Sequence, residues 1–307
     1  MIMDFRHAPV MLDEVIEGLQ IKPEGSYLDC TLGGGGHSSE ILKRLKGGKL
    51  YAVDKDQDAL AFAKTRLGSA PTYIHSDFKE AIASWEYEKL DGILMDLGVS
   101  SYQLDTPERG FSYRFDAPLD MRMDASAKLT AYEVVNEYSQ KELTDILFKY
   151  GEEPYAKKIA ANIVKERANA PIKSTLELVK LIEKSIPPKV RYGGSHPAKR
   201  VFQAIRIEVN GELAGLYEAI LAAIKLLKPG GRIAVITFHS LEDRIAKQAF
   251  KYAELPCICP PKSPICTCGK VSEIEIITKK PILPSEMEME TNPRSKSAKL
   301  RVAQRKE

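Results

Sequence analysis

Glycines and acidic residues occur at the spacing of a nucleotide-like cofactor site in the first third of the sequence. Glycines at positions 33 to 36 follow an apolar segment, and Asp54 lies about 20 residues beyond them. Glycines let the backbone approach a ligand closely, and an acid at this distance suits a bidentate hydrogen bond to ribose hydroxyls. Asp96 follows a later apolar segment and supplies a second acid. The pattern indicates a cofactor that carries a ribose.

The glycine spacing distinguishes two classes of cofactor. A dinucleotide fingerprint requires Gly or Ala at position 38 or 39, and both positions are serine. A pyrophosphate also favours a helix N-terminus without nearby carboxylates, whereas the sulfonium of S-adenosylmethionine is compatible with Asp29 and Asp96. We therefore expect S-adenosylmethionine rather than a nicotinamide cofactor. A purely structural turn between strand and helix is the alternative for the glycines alone.

Short apolar segments alternate with amphipathic segments through the first hundred residues. This alternation predicts strands joined by helices, an order typical of a parallel sheet covered on both faces. Ligands bind such sheets beyond the carboxyl ends of the strands, where Asp54 and Asp96 fall. Phe78 follows the third strand and is expected to stack on an adenine beside Asp77, although a lone Phe is as often a core residue. The predicted strands are residues 26–32, 50–53, 73–75, 93–95 and 233–236.

A helical block interrupts the predicted sheet. Residues 108–125 are irregular in pattern, and only helical signals occur from 126 to about 188. A hydroxyl followed three residues later by a carboxylate marks the start of a helix as a capping box. Such pairs are Thr130 with Glu133, Ser139 with Glu142 and Ser174 with Glu177. The sequence therefore predicts a sheet domain formed by residues 1–107 and 212–307, with an inserted helical domain over 108–211.

Long consecutive motifs resemble the ribosomal RNA small subunit methyltransferase H family. The first begins at Asp96 and reads DLGVSSYQLD. The others are ERGFS at 108–112, PLDMRMD at 118–124, HPA at 196–198, FQAIRIEVN at 202–210, FHSLEDR at 238–244 and NPRSKSAKLR at 292–301. Together the motifs extend over nearly the whole chain, which makes a chance match implausible.

The resemblance implies a fold, a reaction and a set of contacts. The fold would be an α/β, Rossmann-like class I methyltransferase sheet with an inserted all-helical domain that recognises substrate. The reaction would be methylation of the N4 amine of a cytidine in the decoding region of small-subunit (16S) ribosomal RNA, with S-adenosylmethionine as donor. The RNA is expected within the small ribosomal subunit, although naked RNA stays open as the substrate. The implied cofactor contacts are Gly35, Gly36, His37, Asp54, Phe78, Asp96 and Gln103.

Asp96 is the candidate catalytic residue. The exocyclic amine of cytosine is a poor nucleophile, because its lone pair is delocalised into the ring. A carboxylate at the end of the fourth strand could accept a hydrogen bond from the amine, stabilise the developing cation and take the proton. It could instead hold only the amino group of the cofactor. His239 follows the fifth strand, where a place in the same cleft and a structural role are both open.

Basic residues are concentrated in two segments. Residues 189–206 contain no acid and interleave basic with aromatic side chains, a pattern that suits a phosphate backbone with stacked bases. A solvated basic face is the alternative. Residues 294–307 form a basic C-terminal tail, a second candidate RNA contact. The predicted RNA-binding residues are Arg191, Lys199, Arg200 and Arg206.

Composition limits the class of protein. The chain has 307 residues with 44% hydrophobic content and a net charge of +3. No apolar segment of about 18 residues is present, so we expect a cytoplasmic protein with no membrane contact. Two other classes stay open: an oxidoreductase, disfavoured by the two serines, and a non-enzymatic RNA-binding factor, which has no need of acids at strand ends. Oligomeric state is not indicated.

Four of the five cysteines lie close together in a proline-rich segment. Cys257, Cys259, Cys266 and Cys268 form the pattern C-x-C-x6-C-x-C. Four thiolates can make a tetrahedral zinc site, but the usual zinc knuckles have two residues between paired cysteines. The sequence therefore leaves a metal at these cysteines undecided, and we assign no metal ligand from it.

Overall fold

The computed structural model describes residues 9–188, 196–259, 265 and 267–307. Contacts divide the chain into two compact units, one comprising residues up to Gly98 and from Leu213 onward, the other Val99–Glu212. The limits of 108–211 predicted for the inserted domain lie inside the second unit. No helix in these described ranges is both long and apolar enough to cross a membrane.

The elements follow one another in an α/β order that a run of helices interrupts. The strands are β1 Ser26–Asp29, β2 Lys49–Asp54, β3 Thr72–His75, β4 Leu90–Asp96, β5 Leu227–Thr237, β6 Ile274–Ile276 and β7 Lys299–Arg305. The helices are α1 Leu12–Leu19, α2 Gly36–Arg44, α3 Gln57–Leu67, α4 Phe78–Ala83, α5 Ser101–Asp105, α6 Ala131–Glu137, α7 Gln140–Gly151, α8 Ala156–Arg167, α9 Thr175–Ser185, α10 Ala198–Asn210, α11 Leu216–Leu226, α12 Ser240–Glu254 and α13 Glu286–Thr291.

The first unit is built on a seven-stranded sheet in the order β3-β2-β1-β4-β5-β7-β6. The strands from β3 to β5 are parallel, whereas β7 runs antiparallel to β5 and β6. Helices α4, α11 and α12 contribute buried residues to the core on one face, and α1 and α2 to the core on the other. Because both faces are covered, β1 and β4 are almost wholly buried, and even the polar residues Ser26 and Asp91 lie inside. The predicted α/β class is confirmed.

The strand order creates a switch point between β1 and β4. After β1 the chain turns to β2 on one side, and β4 continues the sheet on the other side. A crevice forms outside the carboxyl ends of the strands at such a point, because the flanking connections leave in opposite directions. The fold therefore places the ends of β1, β2 and β4 where an open parallel sheet binds its ligand.

Strand β5 is longer than the sequence predicts. The Lys228–Gly231 segment reads as a turn before a strand at 233–236, but it belongs to the strand. Leu90 of β4 pairs with Leu227, whereas Gly92 pairs with Arg232, so extra residues of β5 are accommodated by a bulge. Gly230 has a φ of 75°, a left-handed conformation that glycine adopts without steric cost.

Half of the basic tail is part of the sheet, and its contact with RNA stays a prediction. Strand β7 pairs along its length with β5. Arg301 is only 6% exposed, and its Nε lies 2.7 Å from Asp243 Oδ1. Lys299 contacts the same carboxylate, and Arg305 pairs with Glu273. These three basic side chains therefore neutralise acids of their own unit, and they contribute less to the positive charge of the tail than the sequence suggests.

The second unit is a helical bundle with its own apolar core, drawn from α6 to α10 and the segment before them. All three predicted capping boxes are confirmed, at the starts of α6, α7 and α9. Asn210, the last residue of α10, forms hydrogen bonds to the backbone of the irregular segment that precedes α6. Its Oδ1 accepts the Met123 N–H at 2.7 Å, and its Nδ2 donates to the Met121 carbonyl at 2.7 Å.

We predict that Asn210→Ala destabilises the helical unit. The substitution removes both bonds to the irregular segment and a third to the Arg206 carbonyl. At about 1 kcal/mol for each bond, the free energy of unfolding should fall by about 2–3 kcal/mol, measured by urea denaturation. Asn169→Ala, at an exposed position, is the control and should change it by less than about 0.5 kcal/mol. Equal effects of the two substitutions would contradict this role.

Candidate active site

Three carboxylates lie at the carboxyl edge of the parallel sheet. Asp29 ends β1, Asp54 ends β2 and Asp96 ends β4. Strand β1 pairs with both of the others, which brings the three acids together at the switch point. Burial and mutual repulsion disfavour the charged forms of such acids, so each needs donors or becomes protonated.

The glycine turn between β1 and α2 approaches Asp54. Gly33 and Gly35 have φ values of 48° and 70°, in the left-handed region that favours glycine. The Gly33 N–H donates to Asp54 Oδ2 at 2.8 Å, and the Asp56 N–H donates to Oδ1 at 2.9 Å. Gly35 is the N-cap of α2 and provides no capping side chain. The turn therefore brings bare backbone and a carboxylate to one place, as a ribose site requires.

Burial raises the pKa of Asp54 to about 6, although its two backbone hydrogen bonds favour the charged form. Burial likewise raises the pKa of Asp29 to about 6. Asp29 Oδ2 accepts the Ser38 hydroxyl at 2.7 Å, and Oδ1 accepts the Thr31 N–H at 3.1 Å. Both acids are thus held by donors from the segment that follows β1 or β2.

Asp96 differs from the other two carboxylates because its donors are missing. Among the described residues, none donates a hydrogen bond to its buried Oδ1. Oδ2 lies 3.6 Å from His37 Nδ1. Burial, then the charges of Asp29 and Glu242, raise the pKa of Asp96 well above its ordinary value. Oδ1 of this carboxylate can therefore accept a hydrogen bond from a bound ligand.

His37 cannot supply that donor in its neutral form. Its Nε2 lies 3.0 Å from the Val10 carbonyl oxygen, which can only accept, so Nε2 carries the proton. The Nδ1 that faces Asp96 is then an acceptor as well. Burial lowers the pKa of His37 to about 4, so the ring is uncharged at neutral pH. The charged form of Asp96 therefore faces a second acceptor, and this contact does not stabilise its negative charge.

Thr31 and Ser38 are site residues that the sequence reasoning missed. The Thr31 hydroxyl accepts the Asp96 N–H at 2.7 Å and so links β1 to the end of β4. Ser38, which argues against a dinucleotide in the sequence, is fully buried and bound to Asp29. A small hydroxyl residue in the first turn of the helix that follows a strand-end acid is the signal that could have revealed Ser38.

Phe78 and Asp77 lie at the start of α4. Asp77 is the N-cap and accepts the Lys79 N–H at 2.9 Å. Phe78 is half-buried and packs against the core on one face of the sheet. Its position after β3 leaves the adenine contact a prediction.

His239 serves as the N-cap of α12, and its ring is buried. Its Nδ1 accepts from the Glu242 N–H, and Glu242 Oε2 accepts the Phe238 N–H at 2.8 Å. His239 Nε2 lies 3.1 Å from Glu242 Oε1, without a hydrogen-bond partner of good geometry in the described part of the chain. The structural role proposed as the alternative for this histidine is therefore present.

The remaining predicted residues lie in the second unit or outside the described residues. Gln103 is buried and completes a capping box with Ser100 at the start of α5. Lys199 and Arg200 are exposed on the first turn of α10. Arg206 is 16% exposed and donates from Nε and Nη2 to Glu212, each at 2.9 Å. Arg191 lies outside the described residues.

The parallel sheet, the glycine turn and the strand-end acids together define an α/β methyltransferase of the Rossmann-like type. Comparison with known proteins identifies the family. The model of the MraW methylase family matches residues 4–306, and the chain belongs to this family. S-adenosylmethionine is the cofactor of such methyltransferases.

Full-length relatives are similar to this chain. Ribosomal RNA small subunit methyltransferase H of Clostridioides difficile is 56% identical over 99% of this chain and 100% of its own length. The proteins of that name from Clostridium botulinum and Brevibacillus brevis are 55% and 52% identical, each over 99% of this chain and over 100% and 99% of their own lengths.

We predict that cofactor affinity depends on the ionisation of Asp54. Ribose hydroxyls donate to a carboxylate, so binding selects the charged form. Affinity for S-adenosylhomocysteine should hold above pH of about 6 and fall at lower pH, by up to about tenfold for each pH unit. Calorimetric titrations between about pH 5 and about pH 8 measure it.

Asp54→Asn is the matched variant for this titration. It should bind less tightly and with a flatter pH profile, and the dependence that remains should come from Asp29. A variant with the slope of the original protein would show that Asp54 does not bind the ribose.

Proposed function

We propose that this protein methylates the N4 amine of a cytidine in the decoding region of small-subunit (16S) ribosomal RNA. The names of its relatives support the ribosomal RNA substrate. The observation that carries the chemistry is Asp96 Oδ1, a buried acceptor that no described residue satisfies. An exocyclic amine brings N–H donors, which is what this oxygen lacks.

Asp96 is suited to an amine that acquires positive charge. When nitrogen attacks a methyl group, its lone pair is consumed and its protons become acidic. A carboxylate within hydrogen-bond distance stabilises that charge and can take a proton, and the raised pKa of Asp96 makes it a stronger base than an ordinary aspartate. Oxygen nucleophiles offer fewer such protons, which favours an amine as acceptor.

The residues next to Asp96 increase its affinity for a proton. His37 is neutral and presents Nδ1 toward Asp96 Oδ2, so it does not form an ion pair that would compete with the substrate. Asp29 and Glu242 add negative charge nearby. Because no described residue donates to Oδ1 and negative charge lies nearby, Asp96 takes up a proton more readily than an ordinary aspartate. A substrate amine would supply the missing hydrogen bond to Oδ1.

The edge of the sheet fits S-adenosylmethionine. Gly35 and Gly36 would approach it through their backbone, Asp54 would bind the ribose hydroxyls and Phe78 would contact the adenine. Bulk is restricted here: a Cβ on Gly36 would lie 3.0 Å from the Pro9 side chain. His37, Asp96 and Gln103 complete the proposed cofactor contacts. The bound cofactor supplies an electrophilic methyl group on sulfonium.

The helical unit is the proposed substrate-recognition part. Lys199 and Arg200 lie exposed on consecutive positions of α10, where they would contact phosphates. Arg206 is already bound to Glu212, which makes it a weaker candidate than these two. We place the reaction on the small ribosomal subunit and the protein in the cytoplasm, where that substrate is assembled.

The proposal is tested by transfer of labelled methyl from S-adenosylmethionine to small ribosomal subunits that lack the modification. Nucleoside analysis should recover the label as N4-methylcytidine from the decoding region. Label in another nucleoside would overturn the assignment of the acceptor. If the protein binds the cofactor but transfers no methyl group to any form of the small subunit, the assignment of small-subunit ribosomal RNA as substrate is overturned.

We predict that Asp96→Asn lowers the rate of methyl transfer at saturating substrate by about 10²–10⁴-fold. The affinity for S-adenosylhomocysteine should fall much less than the rate, because Asp96 is one of several proposed cofactor contacts but the only proposed acceptor for the amine. Asp13→Asn, on the exposed side of α1, is the control and should leave both quantities unchanged. A variant with normal turnover but weak cofactor binding would instead assign Asp96 to the cofactor alone.

A second prediction concerns the salt dependence of RNA binding. Each lost phosphate contact should lower the slope of log affinity against log salt by about 0.7–0.9. We expect this change for the double variant Lys199→Ala, Arg200→Ala, measured by filter binding over a salt series. The double variant Lys157→Ala, Lys158→Ala, exposed on α8, is the control. Identical slopes for both variants would remove α10 from the interface.

A further inference from the structure

The segment between α12 and β6 gathers three cysteines outside the active site. Cys257, Cys259 and Cys268 have sulfur atoms that all lie within 4.8 Å of one another. The segment carries apolar side chains that are largely exposed, among them Ile258 at 68% and Val271 at 78%. Apolar burial therefore contributes little to holding the cysteines together, and a different interaction is needed to order this part of the chain.

The distances match the edges of a metal tetrahedron better than a disulfide. Cys268 Sγ lies 3.8 Å from Cys257 Sγ. A zinc ion with bonds of about 2.3 Å places its sulfur ligands about 3.8 Å apart, because the edge of a tetrahedron is about 1.6 times the distance from its centre to a corner. Sulfur atoms in a disulfide are separated by only about 2.05 Å.

A backbone amide contacts one of the three sulfur atoms. The Thr267 N–H donates to Cys259 Sγ at 3.4 Å, the kind of amide contact that supports a metal-bound sulfur. The remaining described cysteine, Cys30, is buried in the sheet unit and lies outside this cluster.

We propose that Cys257, Cys259 and Cys268 bind one Zn²⁺ ion, which holds residues 257–259 next to residues 267–268. Three thiolates leave one position of a tetrahedral ion for a further ligand, and soft sulfur donors select zinc over magnesium or calcium. The site is structural. Its binding energy stabilises a surface segment that has little apolar core of its own.

Zinc content is the direct test. Untagged protein, purified under reducing conditions without chelator, should contain about one zinc per chain by elemental analysis. The triple variant Cys257→Ser, Cys259→Ser, Cys268→Ser should contain at least about tenfold less, while Cys30→Ala keeps its zinc. Cys266 stays unchanged in all samples, so that a loss is due to the three described cysteines.

Two further readouts keep the test independent of folding and of methyl transfer. Replacement of zinc by Co²⁺ should give the visible absorption of a tetrahedral thiolate complex, absent from the triple variant. A chelator should open residues 255–273 to limited proteolysis, and added Zn²⁺ should reverse this. Absence of zinc from the reduced protein together with no uptake of Co²⁺, equal zinc in the triple variant, or a Cys257–Cys268 disulfide in protein kept reduced would each overturn the proposal.

Discussion

The burial of three carboxylates at the ends of neighbouring parallel strands is the constraint on which the site depends. Negative charges on neighbouring strand ends repel one another strongly in a low-dielectric environment. Each buried acid must therefore accept hydrogen bonds from donors or hold a proton. The structure satisfies Asp29 with Ser38 and Thr31, and Asp54 with the amides of Gly33 and Asp56. It leaves Asp96 without a comparable set. This difference among the three acids supports the proposal that Asp96, rather than Asp29 or Asp54, acts on the substrate amine.

Elsewhere in the sheet unit, basic side chains form ion pairs with acids of other elements. Asp91 receives Lys22 and Lys228 at 3.2 and 2.6 Å, and Asp243 receives Lys299 and Arg301. Basic residues that are concentrated in the sequence are thus distributed among acids of several elements in the fold. RNA affinity must then depend on basic side chains without such partners at close range, and the exposed first turn of α10 carries two candidates.

Much of the fold could be predicted, because its signals are local. Strand-end acids and the capping boxes that open α6, α7 and α9 depend on residues a few positions apart. Strand β7 could not, because its basic residues suggest an exposed tail, and only pairing with β5 and the contact of Arg301 with the distant Asp243 account for their place in the sheet. The extension of β5 was hidden by Pro229 and two glycines, which usually indicate a turn. The family motifs pointed to Asp96, but the lack of a donor to its Oδ1 depends on the three-dimensional arrangement of the surrounding side chains and is invisible in sequence.

The ionisation of Asp96 is the measurement that tests the central claim most directly. Carbon-13 labelling of aspartate carboxyl groups, with Asp96→Asn to assign the signal, gives its pKa in the free protein by NMR. We expect a value well above the ordinary 3.8, and a marked fall when an RNA fragment with the target cytidine binds beside S-adenosylhomocysteine. An ordinary value in the free protein, unchanged by RNA, would show that Asp96 is not the unsatisfied acceptor on which the proposed mechanism depends.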